Sequence, residues 1–273
     1  MTKKVFLNFI VLIFSISVSA QLDTIPLTFG NKLIIESKTL NEKQEAWIRF
    51  PDDYENVKDS LSLLILLDGD EYFKAASDIT ELYEWSGRMP KTIIVGLPST
   101  IESRWKYYTP SNVPPKKGTT QEDSLLYLNS GNFEKYANFI AKELIPELSK
   151  ELNTNFISKC IFGHSNGGLG AMSFYALRPE IFDNYIVASP ALLWDDYFLF
   201  EQIGNKSRTD NLYITLGTGS WDYKVSSLEK FITKLKMTNK NFSFEENNQE
   251  GHSTNGIRTL LDGLKYVYKV EKK

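Results

Sequence analysis

The sequence predicts an α/β fold: a mostly parallel central sheet with helices on both faces and an antiparallel strand pair at its N-terminal end. Three observations carry this. Short apolar runs alternate with stretches of helical spacing along the chain. Two of those runs, residues 61–67 and 92–96, show no polar alternation, as expected of strands buried on both faces. A third, residues 159–162, passes through a glycine-flanked turn into a helix-forming stretch. Strands separated by helical segments imply parallel pairing through crossovers.

Taken in order, residues 32–37 and 45–50 read as the opening antiparallel pair, with Asn41-Glu42-Lys43 turning between them. Residues 61–67 form a central strand, which ends in Asp68-Gly69-Asp70-Glu71, and residues 92–96 form the next. Phe133, Tyr136, Ile140, Leu144 and Leu148 recur at helical spacing, so residues 132–152 form one long amphipathic helix, kinked where Pro146 interrupts its ladder. Residues 185–188 and 212–216 are further strands, 225–237 a helix and 242–246 a short strand. Ile257, Leu260, Leu261, Leu264 and Tyr268 mark a closing helix. No internal repeat, low-complexity tract or interdomain linker is visible.

The turn after residue 162 reads Gly163-His164-Ser165-Asn166-Gly167. Strand, G-x-S-x-G, helix is a nucleophile-elbow pattern, in which a sharp turn lifts the serine hydroxyl above the sheet. The chain has two histidines. His164 lies beside the serine and points elsewhere, so His252, downstream in Gly251-His252-Ser253, is the candidate general base for Ser165. The plainer alternative is a tight turn in which Ser165 caps the helix. An oxyanion hole needs two backbone donors at the carboxyl ends of the strands. The N–H of Asn166 is one, and the N–H of Asp70, after the flexible Gly69, is the other. Asp68 and Asp70 have no histidine beside them and make a poor metal site, so no metal is expected there.

At the N-terminus, Thr2-Lys3-Lys4 precedes a mostly apolar run over residues 5–18 and small residues up to Ala20. This reads as a secretory signal peptide cut after Ala20, because the run is shorter than the roughly 18 residues of a spanning helix. With no cysteine near the cut, no lipid or other membrane anchor is expected to remain. Residues 21–273 then form a single domain, secreted or periplasmic. Losing Lys3 and Lys4 takes the formal charge from −3 to −5, which disfavours nucleic acid as a partner. Cys160 is the sole cysteine, so the exported protein relies on its core rather than on an internal disulfide. With 14 Tyr, 17 Phe and 5 Trp, the chain can supply that core and a ring-lined cleft.

Several stretches together resemble the esterase-D-like family of α/β-hydrolases, and more narrowly its secreted or periplasmic members close to siderophore (trilactone) esterases. They are Leu66-Leu67-Asp68-Gly69-Asp70 with Tyr72-Phe73, Ile94-Val95-Gly96-Leu97-Pro98, Arg104 followed by Tyr108-Thr109-Pro110, Gly163-His164-Ser165-Asn166-Gly167-Gly168-Leu169, Arg178-Pro179-Glu180-Ile181-Phe182-Asp183, Ser189-Pro190-Ala191-Leu192-Leu193-Trp194-Asp195 and Gly251-His252-Ser253. The resemblance implies an α/β-hydrolase fold and hydrolysis of carboxylic esters or related thioesters without a cofactor. One position departs from it. The acid of the triad normally follows the strand after the Ser-Pro segment, in a turn with Glu soon after Gly. Here the turn reads Gly217-Thr218-Gly219-Ser220-Trp221-Asp222, and Asp222 is its first carboxylate. Asp222 as the acid, Asp195, Asp196 or Glu250 in its place, and a Ser-His dyad all stay open. So does Asp222 as a solvated helix start.

For the substrate, residues 98–129 form a long polar segment with Trp105, Tyr107 and Tyr108, expected to act as a lid or substrate loop. Arg104, Tyr108, Trp194 and Trp221 are the expected substrate-binding residues, although Arg104 also reads as a brace on a carboxylate. An aromatic, basic rim with Lys106, Lys116 and Lys117 suits a small-molecule ester with an aryl group, either a catecholate siderophore or a feruloyl ester. An acyltransferase, a non-catalytic binding protein on the same scaffold and a peptidase are the alternatives. Oligomeric state is not readable.

Overall fold

The computed structural model describes residues 28–57, 60–204, 207–219 and 225–269. The predicted leader, Trp221 and Asp222 lie outside them. The described strands form one sheet of eight in the order β1-β2-β4-β3-β5-β6-β7-β8. They are β1 (Asn31–Ser37), β2 (Glu42–Arg49), β3 (Ser62–Leu67), β4 (Thr92–Leu97), β5 (Ser158–His164), β6 (Asn184–Ala188), β7 (Asn211–Thr218) and β8 (Phe242–Gly251). β1 pairs antiparallel with β2, and β2 antiparallel with β4; the remaining neighbours are parallel. This is the expected fold class, with the expected N-terminal pair.

The apolar central runs are explained by two cores. Leu63, Ile65 and Leu67 of β3 pack with Ile161, Val187 and Ile214 into one cluster. Leu64 and Leu66 point the other way, into a second cluster with Phe162 and Ile186. Along β3 every side chain is buried, as the lack of alternation implied. Helices α1 (Tyr54–Val57), α5 (Phe133–Phe139), α6 (Ile145–Glu151), α7 (Asn166–Leu177), α8 (Phe198–Gln202) and α9 (Val225–Thr238) cover the first face, while α2 (Gly69–Trp85) and α10 (Asn255–Val267) cover the second.

The structure differs from the sequence reading in four places. The helix expected over 132–152 is interrupted by a π-helical turn at Ile140–Leu144, just before Pro146, in which the Ile145 N–H reaches back to the Ile140 carbonyl. Widening the turn accommodates the proline that a regular ladder would reject. β8 runs on to Gly251, and its register on β7 slips between Gly217 and Thr218, where Gly217 faces Asn247 and Thr218 faces Gly251. Its polar, half-exposed side chains hid the extra length, because an edge strand needs no apolar alternation. α2 follows β3 directly, where Asp68-Gly69-Asp70 predicts only a turn. Residues 98–129 are not an open loop, since they carry α3 (Ile101–Tyr107) and α4 (Gln121–Leu128). Thr100 and Ser103 close a reciprocal capping box at the start of α3.

Candidate active site

Ser165 sits between β5 and α7 with φ 58° and ψ −117°. A serine at positive φ is strained by about 1–3 kcal/mol and persists only where its surroundings dictate it. Two glycines make the turn possible. A Cβ on Gly163 would collide with the Gly167 carbonyl, and one on Gly167 would lie 2.7 Å from a carboxylate oxygen of Asp68. The Ser165 N–H donates to the Ala188 carbonyl at 3.0 Å, and the Ser165 carbonyl accepts from Leu169 and Ala191. The loop after β6 thus grips the elbow from one side.

His252 lies just beyond the end of β8, and its Nε2 is 3.1 Å from Ser165 Oγ. The two are 87 residues apart in sequence, and parallel pairing of β5, β6, β7 and β8 brings them to one end of the sheet. Burial and the positive charge of Arg104 hold the His252 imidazole below its ordinary pKa. The turn that carries His252 is fixed at its base by Asn255, which is fully buried and donates to Ser189 Oγ and Thr215 Oγ1, both at 2.8 Å. Asn247 donates to the Asn255 carbonyl oxygen of its side chain at 2.6 Å.

Asn166 opens α7 with its backbone N–H in the first turn, beside Ser165. Asp70 lies in the first turn of α2, across the sheet end. Asp68, in the left-handed conformation (φ 57°, ψ 51°), caps that helix, and its carbonyl takes the N–H groups of Glu71 and Tyr72. The amides of Gly69 and Asp70 come before these two and are the first donors of the helix. Both backbone donors expected from the sequence therefore belong to first turns of helices that begin at the carboxyl ends of neighbouring central strands.

The Asp68 side chain, which the sequence offers only as half of a poor metal site, lies beside Gly167 of the elbow. It is 1 % exposed. Ser99 Oγ donates to it at 2.6 Å, Arg104 Nη2 donates to its Oδ2 at 3.1 Å, and Arg104 Nε lies 3.0 Å from Oδ1. Burial raises the Asp68 carboxyl, and the guanidinium and hydroxyl oppose that rise. Its own N–H donates to Tyr108 Oη at 3.3 Å, and the Ser99 N–H donates to the Asp70 carboxylate at 3.0 Å. The segment from Ser99 to Tyr108 thus clamps the loop that bears Asp70.

These contacts place the expected rim residues differently. Arg104 is the brace on a carboxylate. Tyr108 is 2 % exposed and lies beneath the loop, which corrects its expected place on the substrate rim. Trp194 is half-buried, its indole N–H donates to Ser111, and its ring stacks on Tyr127 and meets Trp105 edge-on. This aromatic trio pins α3 and α4 to the loop after β6. Trp221 and Asp222 lie outside the described residues. Among the described residues no group of three or more His, Cys, Asp or Glu side chains could hold a metal ion.

A test of the clamp follows directly. Arg104→Gln leaves a buried carboxylate without its cation, which costs about 3–5 kcal/mol, and should lower the melting temperature strongly. It also removes a positive charge near His252. The imidazole is then easier to protonate, so the acid limb of a pH–rate profile should move to higher pH. Arg104→Lys keeps the charge and loses the two-pronged contact, so it should restore the pH limb better than the stability. An unshifted limb in Arg104→Gln would show that Arg104 does not act on His252.

A family model described as "Putative esterase" matches residues 37–256. The chain belongs to this family. Among curated relatives, the ferri-bacillibactin esterase of Bacillus subtilis is 27 % identical over 151 residues, covering 51 % of each chain. A siderophore enterobactin esterase of Emericella nidulans is 30 % identical over 152 residues, covering 50 % of this chain and 48 % of the relative. The chain thus spans about half the length of the curated relatives it matches. An IroE-like serine hydrolase from Shewanella oneidensis superimposes with a TM-score of 0.72 at 25 % identity, over 88 % of this chain and 80 % of that one. The family match takes in the elbow, the Asp68 loop and His252, and stops within α10.

Proposed function

We propose that this member of the esterase family is a serine carboxylic-ester hydrolase that works through an acyl-enzyme on Ser165. The observation that carries the reading is the His252 imidazole 3.1 Å from a serine hydroxyl held at positive φ. In the proposed cycle His252 is neutral, with its bare Nε2 facing the hydroxyl. Ser165 Oγ attacks the ester carbonyl carbon as its proton passes to Nε2. The N–H groups of Asn166 and Asp70 receive the developing oxyanion. Collapse expels the alcohol, which takes the proton from His252, and water repeats the sequence to release the acid. Asp222 is the proposed triad acid. Asp222→Asn lowers kcat by about 10⁴-fold in a triad and less than about tenfold in a dyad.

The proposed substrate is a siderophore trilactone or another aryl ester. Support comes from the activities for which the relatives are named and from the aromatic residues gathered at the sheet end. The proposed location is secreted or periplasmic, on the strength of the N-terminal pattern; no described helix is long and apolar enough to cross a membrane. The decisive assay is a panel of p-nitrophenyl esters of varied acyl length, a feruloyl ester and a ferric catecholate trilactone, with Ser165→Ala as control. Turnover of the trilactone at a kcat/KM well above the alkyl esters supports the substrate class. A preference for short alkyl esters overturns it.

A further inference from the structure

The general base is carried by the edge of the sheet. β8 slips on β7 just before it, leaving residues 248–250 outside the register between Asn247 and Gly251. The geometry points to a device that compensates for this, and it uses the other histidine. His164 is the last residue of β5, paired in register with Ala188, and is 6 % exposed. Its Nε2 lies 2.8 Å from the backbone carbonyl oxygen of His252. A carbonyl only accepts, so His164 donates and its Nε2 carries the proton. The two imidazoles are tilted 43° to each other, ring centroids 4.9 Å apart, and Tyr72 meets His164 in a T-shaped contact.

We propose that His164 is a positioning residue, which holds His252 at bonding distance from Ser165 through the His252 backbone. The inference rests on the serine-hydrolase reading of the same site. Three links close a ring: the peptide bond from His164 to Ser165, the hydrogen bond from His164 to the His252 carbonyl, and the contact of His252 Nε2 with Ser165 Oγ. Because His164 ends the central strand β5 and the nucleophile follows it directly, the base is located from the nucleophile itself rather than from the edge strand that carries it. Burial lowers the His164 pKa to about 4, so it stays neutral and adds no charge against the imidazolium that forms on His252.

The test uses side chains that differ in reach and in the donor. Gln places an amide N–H near the position of Nε2, Asn falls one methylene short, and Met fills the space without a donor. A misplacement of about 1 Å can lower the rate on the order of 10²-fold. With p-nitrophenyl butyrate, His164→Met and His164→Asn should lose about 10- to 100-fold in kcat with KM changed less than about threefold, and His164→Gln should stay within about fivefold of wild type. Labelling by a fluorophosphonate should slow in parallel. A merely structural histidine would lower the melting temperature and leave kcat of the folded fraction intact. Should His164→Met fail to fold, the Gln and Asn variants decide. Equal kcat in those two, or wild-type kcat in a folded Met variant, overturns the proposal. A wild-type protein that takes no fluorophosphonate label overturns the serine reading instead.

Discussion

Ser165→Ala abolishes covalent labelling by a fluorophosphonate and lowers kcat on the order of 10⁶-fold, while the protein stays folded. The size follows from the chemistry: without Oγ there is no nucleophile, and only binding and the oxyanion donors remain. Stability should change little, because alanine at φ 58° carries the same strain as the serine it replaces. Ser165→Gly, which is at ease at positive φ, should be more stable than both by about 1 kcal/mol or more in a denaturant titration. Mass spectrometry of the labelled peptide containing residues 163–167 reads the first result. A label that persists in Ser165→Ala would place the nucleophile elsewhere.

His252→Ala costs turnover of comparable size, and it does so without altering the core, because the side chain is half-buried at a turn. The same residue sets the pH response. The base must be neutral to accept the Ser165 proton, so kcat/KM falls as pH drops through its pKa. Burial and Arg104 lower that pKa, so the acid limb lies below the ordinary histidine value of about 6.5. The groups that lower it are ones that only the fold brings near. Activity should therefore persist into mildly acidic solution. A pH profile with its acid limb above pH 7, or a His252→Ala variant with most of its kcat, would contradict the assignment.

How much of the site was legible depends on whether its parts are local. Gly163, Ser165, Asn166 and Gly167 form one turn, and their spacing carries the backbone demands of that turn with it. Asp68, Ser99 and Arg104 are a different case. Asp68 was visible as the end of an apolar run, yet nothing in the sequence says that its carboxylate turns inward and meets a guanidinium 36 residues later. Tyr108 looked like a rim residue because it is aromatic in a polar stretch. It is buried because α3 folds down onto the loop of Asp68 and Asp70. The missed α2 had a readable signal in Tyr72, Phe73 and Ala76 on one face. The aspartates and glycine at its start read as a turn, and a helix capped by a left-handed residue lacks the usual start signal.

By itself the sequence determined the alternation of buried strands and amphipathic helices, the strand-turn-helix that raises Ser165, and His252 as the histidine expected beside it. These follow from side-chain periodicity and from the backbone freedom of glycine, which act over a few residues. Only the tertiary structure decided which charges surround the base, what Arg104 and Tyr108 hold, and that His164 bonds the backbone of His252. Such contacts join residues tens of positions apart, and parallel strand order, not local propensity, sets which of them meet.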